Sequence, residues 1–333
     1  MTYTIGLQAS TVGTGHAHGK TILVGEHTVV YGLPAIAIPL SGLTVDAVAR
    51  AGVDSAVSGR PTMPRVLDRE HFQYRFTCGH DDSAAGAEFG PAIAVRAALH
   101  RWRIDHGSVE VSVGSSIPPA RGLGSSAALA AAAVRAVANL LAEPLEDRAL
   151  FELVQCGEQV AHGRASGVDT ATVIALEPVW FEADKAHPIM PGLDAALVLA
   201  DSGIAGNTRQ AVEVARGVLG RRRADARQLL ATAAAITERA ATALKAGQAA
   251  TLGYWMAEFH ALLQKLGVST AELDRLVTAA QRAGAHGAKL TGGGLGGCVL
   301  ALTEPESAAA VAGALTDAGA QQTWTVPIRS RLP

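Results

Sequence analysis

The stretch from Ile117 to Leu141, IPPARGLGSSAALAAAAVRAVANLL, limits the fold more than any other part of the chain. Pro118 and Pro119 cannot lie inside a helix, because proline lacks the amide proton and its ring blocks the preceding turn. The alanine-rich run to Leu141 is a strong helix former. Ser125 or Ser126 is a natural N-cap for it, with a hydroxyl to accept an orphan amide. Just upstream, Val109–Val113 alternates as a strand. The order is strand, glycine-containing loop, helix, so the domain is neither all-helical nor all-β.

That loop is also the first candidate site. In GLGSSAAL, Gly122–Leu129, glycines let the backbone curl so that successive N–H groups point inward, and the helix that follows adds its unpaired amides and dipole. A phosphate chain can be held there without side-chain charge, and Ser125 or Ser126 can offer a hydroxyl to a metal or a phosphate. A tight strand-to-helix turn with a serine cap accounts for the same residues. A second candidate is KLTGGGLGGCVL, Lys289–Leu300, with five glycines in the six positions from Gly292 to Gly297. Such a loop invites close approach by a ligand, though a bulged hairpin also tolerates it. The third is GEQVAHGRASGVDT, Gly157–Thr170. Glu158 and His162 share a helix face, and Asp169 follows a glycine turn, which suits a metal ligand and a base or a solvated face with a capping aspartate. The fourth is GTGHAHGKTILVGEH, Gly13–His27. It resembles a Walker A loop, but that motif needs its first glycine at position 14, where Thr14 stands. His16 and His18 have no partner cluster that would make a metal site.

Elsewhere the pattern predicts strands at Thr21–Val24, Thr28–Tyr31, Ala35–Ile38, Val173–Leu176, Val179–Phe181, Ala195–Ala200, Ala288–Leu290, Cys298–Leu302 and Thr323–Pro327. It predicts helices at Glu88–Leu99, Glu146–His162, Thr208–Arg216, Ala224–Ala246, Ala249–Leu266, Thr270–Ala283 (capped by Ser269 or Thr270) and Glu306–Ala318. Residues 51–66 read as hairpin or loop. Strands and helices are mixed in both halves, so the class is α+β. Pro188, Pro191 and Gly192 cluster within Lys185–Leu193, where a domain boundary is expected.

Composition narrows the function. Charged residues are 17% and hydrophobic ones 49%, which calls for a sizeable core, and the formal charge of −2 argues against a general nucleic-acid or membrane-surface binder. Cys78, Cys156 and Cys298 are isolated from one another, so neither a disulfide framework nor a zinc site is indicated, and a reducing cytoplasm fits. Residues 1–15 lack the features of a signal peptide. The alanine-rich run, interrupted by Arg135, is too short to span a bilayer.

Three segments taken in order carry a family resemblance: HGKTILVGEHTVVYGLPAIA, IPPARGLGSSAALAAA and KLTGGGLGGCVL. They resemble the signature regions of the GHMP small-molecule kinases, whose members phosphorylate galactose, homoserine, mevalonate or phosphomevalonate. The likeness runs from about residue 16 to 302. Lys20, and Thr28-Val29 after Gly25-Glu26-His27, are similar to the branch that acts on mevalonate rather than to the galactose branch. The carboxylates in GEQVAHGRASGVDTATV and the segment ADSGIAGNTRQAV, Ala200–Val212, point the same way.

The resemblance implies a two-domain GHMP kinase fold. Its N-terminal domain, ribosomal protein S5 domain 2-like, would cover 1–188. A ferredoxin-like α/β sandwich would cover 189–333, with the active site in the cleft between them. It implies ATP and Mg²⁺ as cofactors, mevalonate as the small-molecule substrate, and 5-phosphomevalonate and ADP as products in isoprenoid precursor synthesis. Asp169 would be the catalytic base, with Lys20 beside it stabilising charge. Ser126 and Glu158 would ligate Mg²⁺. Pro119, Ala120, Arg121, Gly122, Leu123, Gly124, Ser125 and Ser126 would wrap the triphosphate, with Ser115 a further candidate just before the loop. Lys20, Glu26, His27, Asp169 and Ser202 would face mevalonate. No nucleic-acid or membrane partner is implied, and the oligomeric state stays open, a homodimer included.

Three positions depart from the family pattern. His18 replaces the proline usual before Gly-Lys, Arg121 replaces a small residue in the phosphate loop, and Leu295 interrupts the last glycine run. Two rival functions remain. One is a GHMP kinase with a phosphomevalonate or sugar acceptor. A phosphorylated acceptor would need extra cations, and Arg221–Arg223, the basic cluster, reads as a solvated helix start. The other is a non-catalytic nucleotide- or metabolite-binding protein on the same scaffold, which would have no need of Lys20, Glu158 and Asp169 together.

Overall fold

The structure is a computed structural model describing residues 12–51, 62–66, 72–79, 89–104, 108–162, 165–221 and 223–330. Most of the segment predicted as hairpin or loop, Glu88, Arg222 and the side chains of Cys78 and His162 lie outside what it describes. The chain divides into two compact units. The first comprises residues 1–19, 40–119 and 124–174; the second comprises 20–39, 120–123 and 175–333. Strands β1 (Gly13–Val24) and β2 (Ala35–Ala51) each contribute one part to each unit.

In the first unit, β3 (Thr62–Val66), β4 (Phe72–Gly79) and β5 (Ser108–Ser115) pair antiparallel in the order β3-β4-β5-β2. Alternation sets the faces: Val109, Val111 and Val113 of β5, and Val45, Ala47 and Ala49 of β2, are buried. The helices are α1 (Gly90–Arg101), α2 (Ser125–Leu141), α3 (Asp147–His162) and α4 (Val168–Ile174). Helix α2 packs against β5, α1, α3 and α4. Its residues Ala127 to Val134 are all buried, as expected of a helix that is apolar all round.

The second unit is built on an antiparallel sheet in the order β11-β8-β10-β9, formed by β8 (Ala195–Asp201), β9 (Gly287–Thr291), β10 (Cys298–Thr303) and β11 (Gln322–Ile328). Every residue of β8, β9 and β10 is buried. Helices α7 (Ala249–Lys265), α8 (Ala271–Arg282) and α9 (Ala308–Asp317) pack on this sheet. Helix α6 (Arg223–Lys245) lies on α7, and α5 (Thr208–Arg221) on α6. A hairpin of β6 (Val179–Glu182) and β7 (Lys185–Pro188) pairs with Ala35–Ala37 of β2. Thr270 caps α8 as expected, its hydroxyl accepting from the Leu273 amide at 3.4 Å.

Three local expectations fail for identifiable reasons. Thr28–Tyr31 is not a strand; Val29–Tyr31 form a 3-10 turn closed by Tyr31 N–H to Thr28 O at 3.0 Å. Gly25 and Gly32, both with positive φ, bracket this turn and override the β-branched run. Residues 173–176 are not a strand either. Val168–Ile174 are helical, begin after left-handed Gly167 and bury their apolar side against α2 and α3, so packing outweighs β-propensity. Neither Ser125 nor Ser126 is the N-cap of α2. Gly124 takes that place at φ 74°, a left-handed value that favours glycine.

Candidate active site

In the second unit, β1 carries Lys20, a residue only 2% exposed, whose amide donates to Leu123 O at 3.0 Å. The chain then turns at Gly25 (φ 113°), where a Cβ would meet Ala35 Cα at 2.5 Å, so this turn admits no side chain. The turn buries Glu26 and His27. Lys289, on β9 and wholly buried, donates from Nζ to Glu26 Oε1, to Leu290 O at 2.6 Å and to Ile22 O at 3.4 Å. Its ammonium also lies 5.9 Å from the Phe259 ring centroid. The Thr21 and Thr291 hydroxyls meet at 2.9 Å, stitching the ends of β1 and β9 together. The first and last sequence motifs, more than 260 residues apart, thus form one buried cluster.

Its electrostatics follow from burial. Desolvation pushes the Glu26 carboxyl above its ordinary value, and the Lys289 charge and hydrogen bond, with a weaker contribution from Lys20, oppose it. Desolvation pushes Lys289 down, and Glu26 opposes that. His27 is held below 6.5, first by burial and then by the Lys289 charge, against the opposing Gly293 carbonyl. Its Nε2–H donates to Gly293 O at 2.7 Å, which leaves Nδ1 as an acceptor in a neutral ring. His27 sits at φ 61°, a conformation that costs a non-glycine residue roughly 1–2 kcal/mol.

The glycine-containing loop before α2 and the last glycine loop approach backbone to backbone. A Cβ on Gly122 would meet Gly292 Cα at 3.0 Å. Ala120 is left-handed at φ 56°, and its carbonyl accepts the Gly206 amide at 2.9 Å. Arg121 Nε lies 2.7 Å from Asp201 Oδ2, so this departure from the family pattern forms a largely buried ion pair rather than pointing to solvent. Leu295 adopts φ 57° and donates its amide to Val268 O at 2.8 Å, keeping a glycine-like turn despite its side chain. His18 remains within β1. Ser202 donates its hydroxyl proton to Gly297 O at 2.7 Å, so it braces the glycine loop.

The first unit holds the remaining predicted residues. Ser115 is buried, and its hydroxyl exchanges bonds with the Ile117 main chain. Ser125 and Ser126 form the first turn of α2 after Gly124, and Pro119 lies just before the loop enters the second unit. A Cβ placed on Gly90 would lie 3.1 Å from Gly157 O and 3.5 Å from Ser126 Oγ. The start of α2 and the part of α3 bearing buried Glu158 therefore meet around Gly90. Asp169 opens α4, which Gln155 ties to α3 by accepting from Thr170 Oγ1 at 2.8 Å and donating to Ala165 O at 2.9 Å.

Sequence reasoning missed Lys289 and Asp201 as site residues. A lysine inside an otherwise apolar strand, next to a glycine loop, is a signal in itself, because an uncompensated buried ammonium is costly. Asp201 directly precedes the Ser202 that was singled out.

Two comparisons of sequence and one of structure locate the family. Residues 92–176 match the GHMP kinases N terminal domain, and residues 240–321 match GHMP kinases C terminal. A mevalonate kinase of Thermococcus gammatolerans is 33% identical over 91% of this chain and 92% of that protein. One from Thermococcus onnurineus is 34% identical with the same shares. The crystal structure of L. major mevalonate kinase in complex with R-mevalonate superposes with a TM-score of 0.80, covering all of both chains at 25% identity. The chain belongs to the GHMP kinases, within their mevalonate kinase family.

Proposed function

We propose that this chain transfers the terminal phosphoryl group of ATP to the 5-hydroxyl of mevalonate, giving 5-phosphomevalonate and ADP. The observation that carries this reading is the buried Lys20–Glu26–Lys289 cluster with neutral His27, set beside two glycine loops in a chain of this family. Phosphoryl transfer asks a protein mainly for positioning and charge stabilisation. Lys20 supplies a buried cation for the transferred charge. Asp169 accepts the proton of the attacking hydroxyl. A loose transition state releases that proton late, so a weak base suffices. His27 Nδ1 accepts from a hydroxyl of the acceptor. Ala120–Ser126 hold the phosphate chain through main-chain amides and the α2 N-terminus.

For Mg²⁺ the donor set fits: a serine hydroxyl and a buried carboxylate are hard oxygen ligands, and this ion typically takes one or two carboxylates plus substrate phosphates. Ser126 and Glu158 would hold it. When bound with nucleotide it offsets the phosphate charge.

An ADP-release assay with mevalonate, phosphomevalonate, galactose and homoserine as acceptors tests the reading. Turnover is expected with mevalonate. Turnover with phosphomevalonate and not mevalonate would replace the acceptor, and ATP binding with no transfer to any of them would replace catalysis by a binding role.

A further inference from the structure

The second unit contains a cleft of about 40 Å³ lined by the phosphate loop (Ala120, Arg121, Gly122), by Gly206 and Thr208, and by the last glycine loop. A water needs roughly 10–15 Å³ on this measure, so the cleft takes about three waters or one small oxyanion. Arg121 is the sole charged residue in its lining. Asp201 holds Arg121 by Nε alone, and the terminal guanidinium nitrogens make no other hydrogen bond among the described residues. The same carboxylate accepts the Gly203 amide through Oδ1 at 2.9 Å, and the Asp201 carbonyl accepts from Gln321 N at 2.9 Å. Gly206 N–H then reaches Ala120 O at 2.9 Å, and Gly297 N–H reaches Ile204 O at 2.7 Å. Asp201 therefore ties the phosphate loop, the 202–207 loop and the end of β8 around the cleft.

We infer that Asp201 is a positioning residue that aims Arg121 at an oxygen of the nucleotide's phosphate chain, making this cleft a cationic phosphoryl subsite. The inference rests on the phosphotransfer reading for its ligand. Arginine in a fixed fork suits phosphate, which accepts two parallel N–H bonds. The residues flanking Arg121 are both left-handed, Ala120 at φ 56° and Gly122 at φ 77°, and left-handed residues within a loop are the backbone element from which anion-binding nests are built. The rest of the wall is mostly glycine, which lets a phosphoryl group meet main chain directly.

Calorimetric titration of ADP and of inorganic tripolyphosphate into the intact chain tests this, alongside KM and kcat for ATP and mevalonate. Arg121→Ala is expected to weaken both probes about ten- to a hundredfold, the range for a lost charged hydrogen bond. Arg121→Lys should recover only part of that loss. Asp201→Asn should weaken ADP severalfold, yet add nothing in an Arg121→Ala background, whereas two independent structural defects would multiply. If Arg121→Ala fails to fold, the lysine and asparagine variants carry the same readout. Unchanged ADP and tripolyphosphate affinity in the variants, or a rise confined to the KM for mevalonate, overturns the inference while leaving phosphotransfer intact. A wild-type chain that binds ADP but phosphorylates no acceptor would sink the phosphotransfer reading, and the loss of ADP affinity in Arg121→Ala would then still uphold the subsite.

Discussion

At the scale of residues, the site depends on charges that the core would otherwise exclude. Lys289 and Glu26 are each at most 1% exposed. Removing one partner of such a pair leaves a bare buried charge and costs about 3–5 kcal/mol, while replacing both by apolar groups is often close to neutral. Lys289→Met should therefore lower the urea midpoint sharply, and Lys289→Met with Glu26→Leu should regain most of the loss. Additive losses would show that the pair is not a coupled unit. For Asp169, the expected outcome of Asp169→Asn is a strong fall in kcat with ADP affinity nearly unchanged, and near-normal turnover would remove it as the base. Lys20, Glu26, His27 and the phosphate-loop residues were legible because they sit in quotable motifs. Lys289 and Asp201 also lie inside quoted motifs, but their roles were not legible there, because those roles come from Glu26 and Arg121, each more than 75 positions away.

Among elements, the alanine-rich helix has a second reason for its composition. A Cβ on Gly13 or Gly15 of β1 would run into the main chain of α2 at Ala136 and Ala132. Strand and helix approach so closely that glycine faces alanine, and propensity alone did not reveal this. Gly15→Ala should lose roughly 1–3 kcal/mol by overpacking. Gly313, inside α9 with open space around it, is the contrast: Gly313→Ala should gain about 0.5–1 kcal/mol, since it only removes backbone freedom from the unfolded chain. Equilibrium unfolding in urea measures both, and a neutral Gly15→Ala would contradict the close packing. The long helices and the buried strands were readable from periodicity. The 3-10 turn at Val29–Tyr31 and helix α4 were not, because both are short, rich in β-branched residues and fixed by glycines and by their neighbours.

For the whole molecule, two buried imidazoles tie stability to pH. His27 and His260 are both held below 6.5, chiefly by burial. His260 donates Nε2–H to Asp274 at 3.0 Å and accepts the Leu290 amide at Nδ1, which fixes the neutral tautomer. A depressed histidine contributes stability that is full above its unfolded value and is lost as pH falls through the folded one. The unfolded chain therefore binds more protons below about pH 6.5, and each such proton gives a slope of about 1.4 kcal/mol per pH unit. Glu26, raised by burial, acts in the opposite sense from 4.5 upward, so the histidine share is read by comparison with His260→Gln. Stability should fall between pH 6.5 and 5.5 with a shallower slope in that variant, and equal slopes would remove His260 from the account.

Phosphorus NMR of the chain with ATP and R-mevalonate reads directly which bond is made. The expected result is a phosphate monoester resonance split into a triplet by the two protons on C5, growing as ADP appears. A singlet, from an ester at the tertiary 3-hydroxyl or an acyl phosphate, or no new resonance while ATP remains intact, would contradict it.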